Sequence, residues 1–277
     1  MMTETFDLRL FEDEANQFLP SHVGVRKTVA RQVIVRSGDP LFMTIGERSR
    51  MLRRQGRLLV GGWRVRRRYS PEELRAASLF RVGAMRIVEP PGEACGTRYD
   101  DTEACAVCGA GAGLRGDLRL DASRVPRNVD VFATIAGEMV VSASFHGVCA
   151  DAGATGARFA RVQFVGKGSV PYEYYQLLPS ARRVEFAEGT RFGADPFDEE
   201  CAGRCVMGDT AGLNLLSQAF VRRDSVGPSH FVWSRQHVGV RSGLLRPQPV
   251  LFVSSGMRHR LRRAGLAGIH EEIATVV

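Results

Sequence analysis

The sequence predicts an α+β fold with two related halves, each a strand–helix–strand unit with a cysteine knuckle, preceded by an N-terminal α/β part. Three observations carry this reading. Residues 140–159 ("VVSASFHGVCADAGATGARF") and 251–272 ("LFVSSGMRHRLRRAGLAGIHEE") share a pattern at a constant offset of 112. Residues 105–120 ("CAVCGAGAGLRGDLRL") match 205–220 ("CVMGDTAGLNLLSQAF") at an offset of about 100. A period near 100 residues is domain duplication rather than a solenoid. The first 90 residues carry strand and helix signals of their own.

In chain order, "RQVIVRS" and "RLLVGGWRVRRRY" read as strands, being rich in β-branched residues that alternate or run apolar. "YSPEELRAASLF" reads as a helix, with Ser70 as cap, Pro71 in the first turn and Glu73 completing a capping box. "EPPGEACG" breaks the pattern and sets a boundary near residue 90. The expected domains are therefore 1–90, a first half at 91–165, a strand-rich connection at 166–194 and a second half at 195–277. In each half a strand ends on a serine cap, Ser142 or Ser254. A two-turn amphipathic helix follows, then a glycine C-cap and a second strand.

The chain starts "MMTETFDLRLFEDEANQF", with acids where a signal peptide needs a basic region and an apolar run. No stretch approaches the ~18 uninterrupted apolar residues of a membrane span. The expected location is cytoplasmic, with no membrane partner. In that compartment six cysteines argue for metal or free thiols rather than a disulfide framework.

Cys105 and Cys108 sit two residues apart and are followed by Gly109, which makes half of a zinc knuckle. The second copy keeps Cys205 but has Gly208 where Cys108 would be matched. Cys149 aligns with Leu261 on the apolar face of the repeated helix, so it is expected in the core. Five cysteines then compete for four places. Cys105, Cys108 and Cys205 come first, with Cys201 and Cys95 competing for the fourth. The competing reading is free thiols in a loop. A four-thiolate zinc site is coordinatively closed, so its expected role is structural.

The net charge of +8 is local. Residues 48–68 hold nine arginines and no acid, and the remainder carries 29 basic and 30 acidic residues. On a strand, Arg64, Arg66 and Arg68 share one face, with Val65 and Arg67 on the other. An arginine-flanked edge strand accepts an extended acidic peptide, so Trp63, Arg64, Arg66 and Arg68 are the candidate peptide-binding residues. A solvated edge protected against aggregation is the plainer reading. With only Trp63 and Tyr69 nearby, the segment is weak for stacking single-stranded nucleic acid. "GAGLRG" (111–116) has the spacing of a dinucleotide fingerprint, but a cysteine turn precedes it rather than a strand. None of the six histidines pairs with Ser, Cys or Asp at a catalytic spacing, so no catalytic residue is expected and the chain is read as not an enzyme.

At the cysteine stretches the chain resembles the double-CXXCG proteins, which are abundant in myxobacteria and related to toxin-immunity proteins. The resemblance rests on "CGTRYDDTEACAVCG", "RCVMGDTAGLNLLS" and the twice-used Val-Ser-helix segment, and covers about 95–277. The second motif, Cys201-Ala-Gly-Arg-Cys205, departs from Cys-x-x-Cys-Gly. The doubled architecture in an Arg- and Ala-rich chain is also similar to the peptide-binding proteins of crocagin-type peptide natural product pathways. Both resemblances imply a non-catalytic bacterial protein that binds a polypeptide. The favoured expectation is a precursor (leader) peptide presented to a modifying enzyme. The alternative is an immunity protein that neutralises a toxin.

Overall fold

The structure is a computed structural model, and it describes residues 2–168, 170, 173–180, 183–199 and 204–277. It has a mixed α+β fold that divides into two compact units. One is Met1–Ala76 with Arg191–Cys201, and the other is Ala77–Thr190 with Ala202–Val277.

The first unit contains β1 (Thr3–Phe11), α1 (Glu12–Ala15), β2 (Val25–Lys27), β3 (Ala30–Arg36), α2 (Pro40–Arg54), β4 (Val60–Arg68) and α3 (Pro71–Ala76). Its antiparallel sheet has the order β2-β3-β1-β4. Along β1, Phe6, Leu8 and Leu10 are buried while Thr5, Asp7 and Arg9 take the other face, the period-two signature of a half-buried strand. α2 starts where Asp39 accepts the Leu41 amide at 2.8 Å and Pro40 fills the first position. Its Ile45, Ser49 and Leu52 fall on one face and are buried. The returning segment adds Phe197 to the same core. Gly46 makes room for it, because a Cβ there would lie 2.8 Å from the Phe197 ring. The expected capping box is present: the Ser70 amide donates to Glu73 at 2.7 Å and the Glu73 amide to Ser70 Oγ at 3.2 Å.

Within this unit Arg31 is fully buried and doubly bonded to Glu12, at 3.0 and 2.7 Å. It also donates to the carbonyls of Leu19 and Pro20. A buried guanidinium is tolerable only when its fork is filled in this way.

The second unit, with the returning segment, completes the strand series: β5 (Leu79–Ala84), β6 (Ile87–Val88), β7 (Arg98–Asp100), β8 (Gly113–Arg115), β9 (Leu118–Asp121), β10 (Val131–Thr134), β11 (Met139–Ser142), β12 (Ala157–Val165), β13 (Tyr174–Pro179), β14 (Arg183–Val184), β15 (Phe192–Gly193, on the returning segment), β16 (Thr210–Gly212), β17 (Asn214–Leu215), β18 (Ala219–Val221), β19 (Phe231–Val238), β20 (Gln248–Ser254) and β21 (Ile269–Val276). Helix α4 spans Ala143–Asp151 and α5 spans Ser255–Arg263.

Two sheet paths result, β6-β10-β11-β13-β12-β9 and β14-β19-β20-β5-β21-β18. In each, both end strands pair parallel with their neighbours and the inner pairings are antiparallel. Ser142 caps α4 by accepting the Phe145 amide at 3.2 Å, and Ser254 caps α5 by accepting the Met257 amide at 3.3 Å. Phe145 and Cys149 are buried on α4, as are Met257 and Leu261 on α5. The Phe231 amide donates to Thr155 and the Val131 amide to Ala267, at 3.0 and 3.1 Å.

Three expected boundaries change. The first unit ends at Ala76 rather than near 90, because β5 is hydrogen-bonded between β20 and β21 in the sheet of the second half. The 166–194 stretch is strand-rich as expected, but it is more than a connection, since its β13 lies between β11 and β12 of the first half. Residues 195–201, expected to open the second half, group with 191–194 in the first unit.

Candidate functional site

Two tight turns build the cysteine site. In the first, between β7 and β8, the Cys105 amide donates to the Ala110 carbonyl at 2.9 Å and the Gly109 amide to the Cys105 carbonyl at 2.8 Å. In the second, leading into β16, the Cys205 amide donates to Thr210 and the Gly208 amide to Cys205, both at 3.0 Å. Each turn closes on a left-handed glycine, Gly109 at φ 69° and Gly208 at φ 77°.

The turns bring the sulfurs of Cys105, Cys108 and Cys205 within 4.8 Å of one another. The Cys105 and Cys205 sulfurs are 3.7 Å apart, and the Thr210 hydroxyl donates to the Cys108 sulfur at 3.0 Å. Burial opposes ionisation of Cys205, but the amides of Met207 and Asp209 and the thiols of Cys108 and Cys105 outweigh it and hold its pKa below the ordinary thiol value. The amides of Cys108 and Val107 also point at Cys105, but burial and its side-chain hydrogen bonds with Asp209 and Cys108 outweigh them, and its pKa is raised.

This donor set suits a thiophilic ion. Metal–sulfur bonds of about 2.3 Å in a tetrahedron put sulfurs about 3.8 Å apart, close to the separation found here. Zinc at this place would tie the two turns together, and its chemistry there would be charge neutralisation and cross-linking.

Among the expected ligands, Cys95 stands outside the group. It ends a short 3-10 turn (Gly92–Cys95), and its thiol faces the Asp121 amide and Glu138. Burial there pushes its pKa up. Cys201 lies outside the described residues. Cys149 is buried, as its match with Leu261 requires, and burial pushes its thiol up to about 12.

The basic segment resolves into working parts. Arg53 of α2 pairs with Asp195 at 2.5 Å and with Asp198, and Arg57 pairs with Glu14 at 2.6 Å. Arg67 points inward to Glu4 at 2.8 Å. Trp63 also turns inward: its indole N–H donates to the Ala194 carbonyl at 3.1 Å and its ring packs on the core. Its expected place among ligand-facing residues is therefore corrected. Arg64, Arg66 and Arg68 lie on the opposite, exposed face of β4. Across the ladder they face Asp7, Thr5 and Thr3, and they form no ion pair among the described residues. β4 is one edge of its sheet.

The glycine-rich 111–116 stretch runs into β8 rather than a helix, so it is not a dinucleotide loop. Comparison with known protein families and with curated proteins found no match to this chain. Among the described residues no helix is long and apolar enough to cross a membrane.

Proposed function

We propose that this chain is a non-catalytic peptide-binding protein that holds an extended, acidic precursor (leader) peptide along β4 for a modifying enzyme. The observation that carries the reading is an edge strand with three exposed arginines at alternate positions that form no ion pair among the described residues. Main-chain hydrogen bonds from an added strand would give affinity, and alternate side chains would give specificity. Residues two apart on a strand repeat every ~6.6–6.8 Å, so carboxylates at alternate ligand positions would meet Arg64, Arg66 and Arg68. Each exposed pair contributes about 0.2–1 kcal/mol and weakens with salt.

In this reading zinc is structural, held by Cys105, Cys108 and Cys205. The matching sheet paths and serine caps support descent of the two halves from one duplicated unit. The test is calorimetric titration of a peptide with Glu at alternate positions into wild type and an Arg64/Arg66/Arg68→Ala variant. The expected result is weaker binding by the variant and at high salt, whereas equal affinity for both proteins rejects the reading.

A further inference from the structure

The second unit contains a cavity of 770 Å³, within the range of small-molecule sites and unused by the peptide edge on β4. Its walls come from the two centrally placed strands, β5 and β13, with β20 and the glycine-rich run after Cys108. Three of its polar side chains are about 95% buried: Glu138 is 4% exposed, and Gln176 and Trp233 are each 5% exposed. Gln176 Oε1 and the Trp233 indole N–H have no hydrogen-bond partner among the described residues. A buried acceptor and a buried donor left unpaired are each costly, so a fold that keeps both on one cavity is built for a bound polar group.

Charge specifies that group further. Two exposed lining arginines, Arg158 and Arg183, form no ion pair among the described residues. The two other lining arginines are already committed, Arg81 to Glu272 and Arg246 to Asp101 and Glu93. The single acidic lining residue, Glu138, accepts from Tyr99 at 2.7 Å through Oε1, while its buried Oε2 has no partner among the described residues. Leu251, opposite Trp233 in the ladder, supplies apolar wall.

We infer that this cavity binds a carboxylate carried next to an amide, as at the C-terminal end of a peptide or in an acylated amino acid. The carboxylate pairs with Arg158 and Arg183, a charge-assisted contact that suits the planar guanidinium. The amide carbonyl accepts from Trp233 and the amide N–H donates to Gln176, so one peptide group answers these two of the cavity's unpaired buried atoms, which also include Arg81 Nε, Glu138 Oε2, His237 Nδ1 and Arg246 Nε. An apolar side chain lies on Leu251.

The test is calorimetric titration of the full chain with N-acetyl-Ala-Leu, its C-terminal carboxamide, a hexapeptide acid with the same end, and inorganic phosphate. The free acid is expected to bind at one site, with the carboxamide about tenfold or more weaker. Arg158→Ala with Arg183→Ala, both surface changes, should bring the acid down to the carboxamide's level. Gln176→Leu should weaken acid and carboxamide alike. A hexapeptide that binds as tightly as the dipeptide assigns a peptide terminus, and loss of its binding assigns an acylated amino acid. The Arg64/Arg66/Arg68→Ala variant should bind these probes as wild type does, which separates this site from the β4 edge. Equal binding of acid and carboxamide, an unchanged double variant, phosphate competing as well as the acid, or no saturable binding at millimolar probe would each overturn the inference.

Discussion

Replacing Gly156 by Ala probes the tightest backbone approach in the second unit. Gly156 has φ 95°, and an added Cβ would lie 1.8 Å from the Phe231 carbonyl oxygen and 2.8 Å from its carbon. The left-handed conformation alone costs an L-residue about 1–2 kcal/mol. The Phe231 strand cannot simply withdraw, because its amide is held by Thr155 at 3.0 Å and its residue pairs with Val253 in the ladder. Forcing an extra methyl against fixed backbone adds about 1–3 kcal/mol, so the expected loss is about 2–5 kcal/mol. Gly153→Ala is the control: φ is 57° and nothing lies within 4 Å, so only the conformational cost of about 1–2 kcal/mol applies. Urea denaturation reads both, as midpoint shifts at unchanged m. Equal losses in the two variants would refute the close-approach argument. Gly268, whose Cβ would lie 2.3 Å from the Val131 carbonyl oxygen, should behave as Gly156 does.

Further outcomes follow from the cysteines and the caps. If zinc joins the two turns, elemental analysis of the reduced protein finds about one zinc per chain, Cys105→Ser loses it, and Cys95→Ser keeps it. Ser142→Ala and Ser254→Ala should each cost about 1 kcal/mol in denaturant titration, and a cost at only one site would break the equivalence of the two helices. Cys149, held near pKa 12 by burial, keeps its proton in the folded state while the unfolded chain loses it above the ordinary thiol value of 9.0. Stability is therefore lost as pH rises from 9 towards 12. A Cys149→Ala variant should lack that component of the slope, and an identical slope in both proteins would contradict the assignment.

Local signals were legible in the sequence because they are written in adjacent residues. The Ser70–Glu73 box, the Ser142 and Ser254 caps and the alternation along β4 all reappear as hydrogen bonds and burial. The grouping of Cys105, Cys108 and Cys205 was legible through the offset of about 100, which aligned the two turns. Long-range pairings were not. Nothing local marks β5 as a strand between β20 and β21, or β13 as one between β11 and β12. The acids of "DPFDEE" lack a calcium spacing, but only the folded chain shows Asp195 and Asp198 answering Arg53. Trp63 carried an exposed-strand signal until Ala194 returned to accept from its indole. The cavity with Gln176 and Trp233 had no sequence signature, since its walls come from strands far apart in the chain.

The proposed peptide edge is tested most directly by hydrogen exchange of the protein alone and with the alternating-Glu peptide. Binding as an added strand would protect the outward-facing amides of Val60–Arg68 and leave the α5 segment, Ser255–Arg263, unchanged. Protection that appears elsewhere while β4 exchanges at its free rate would contradict the account.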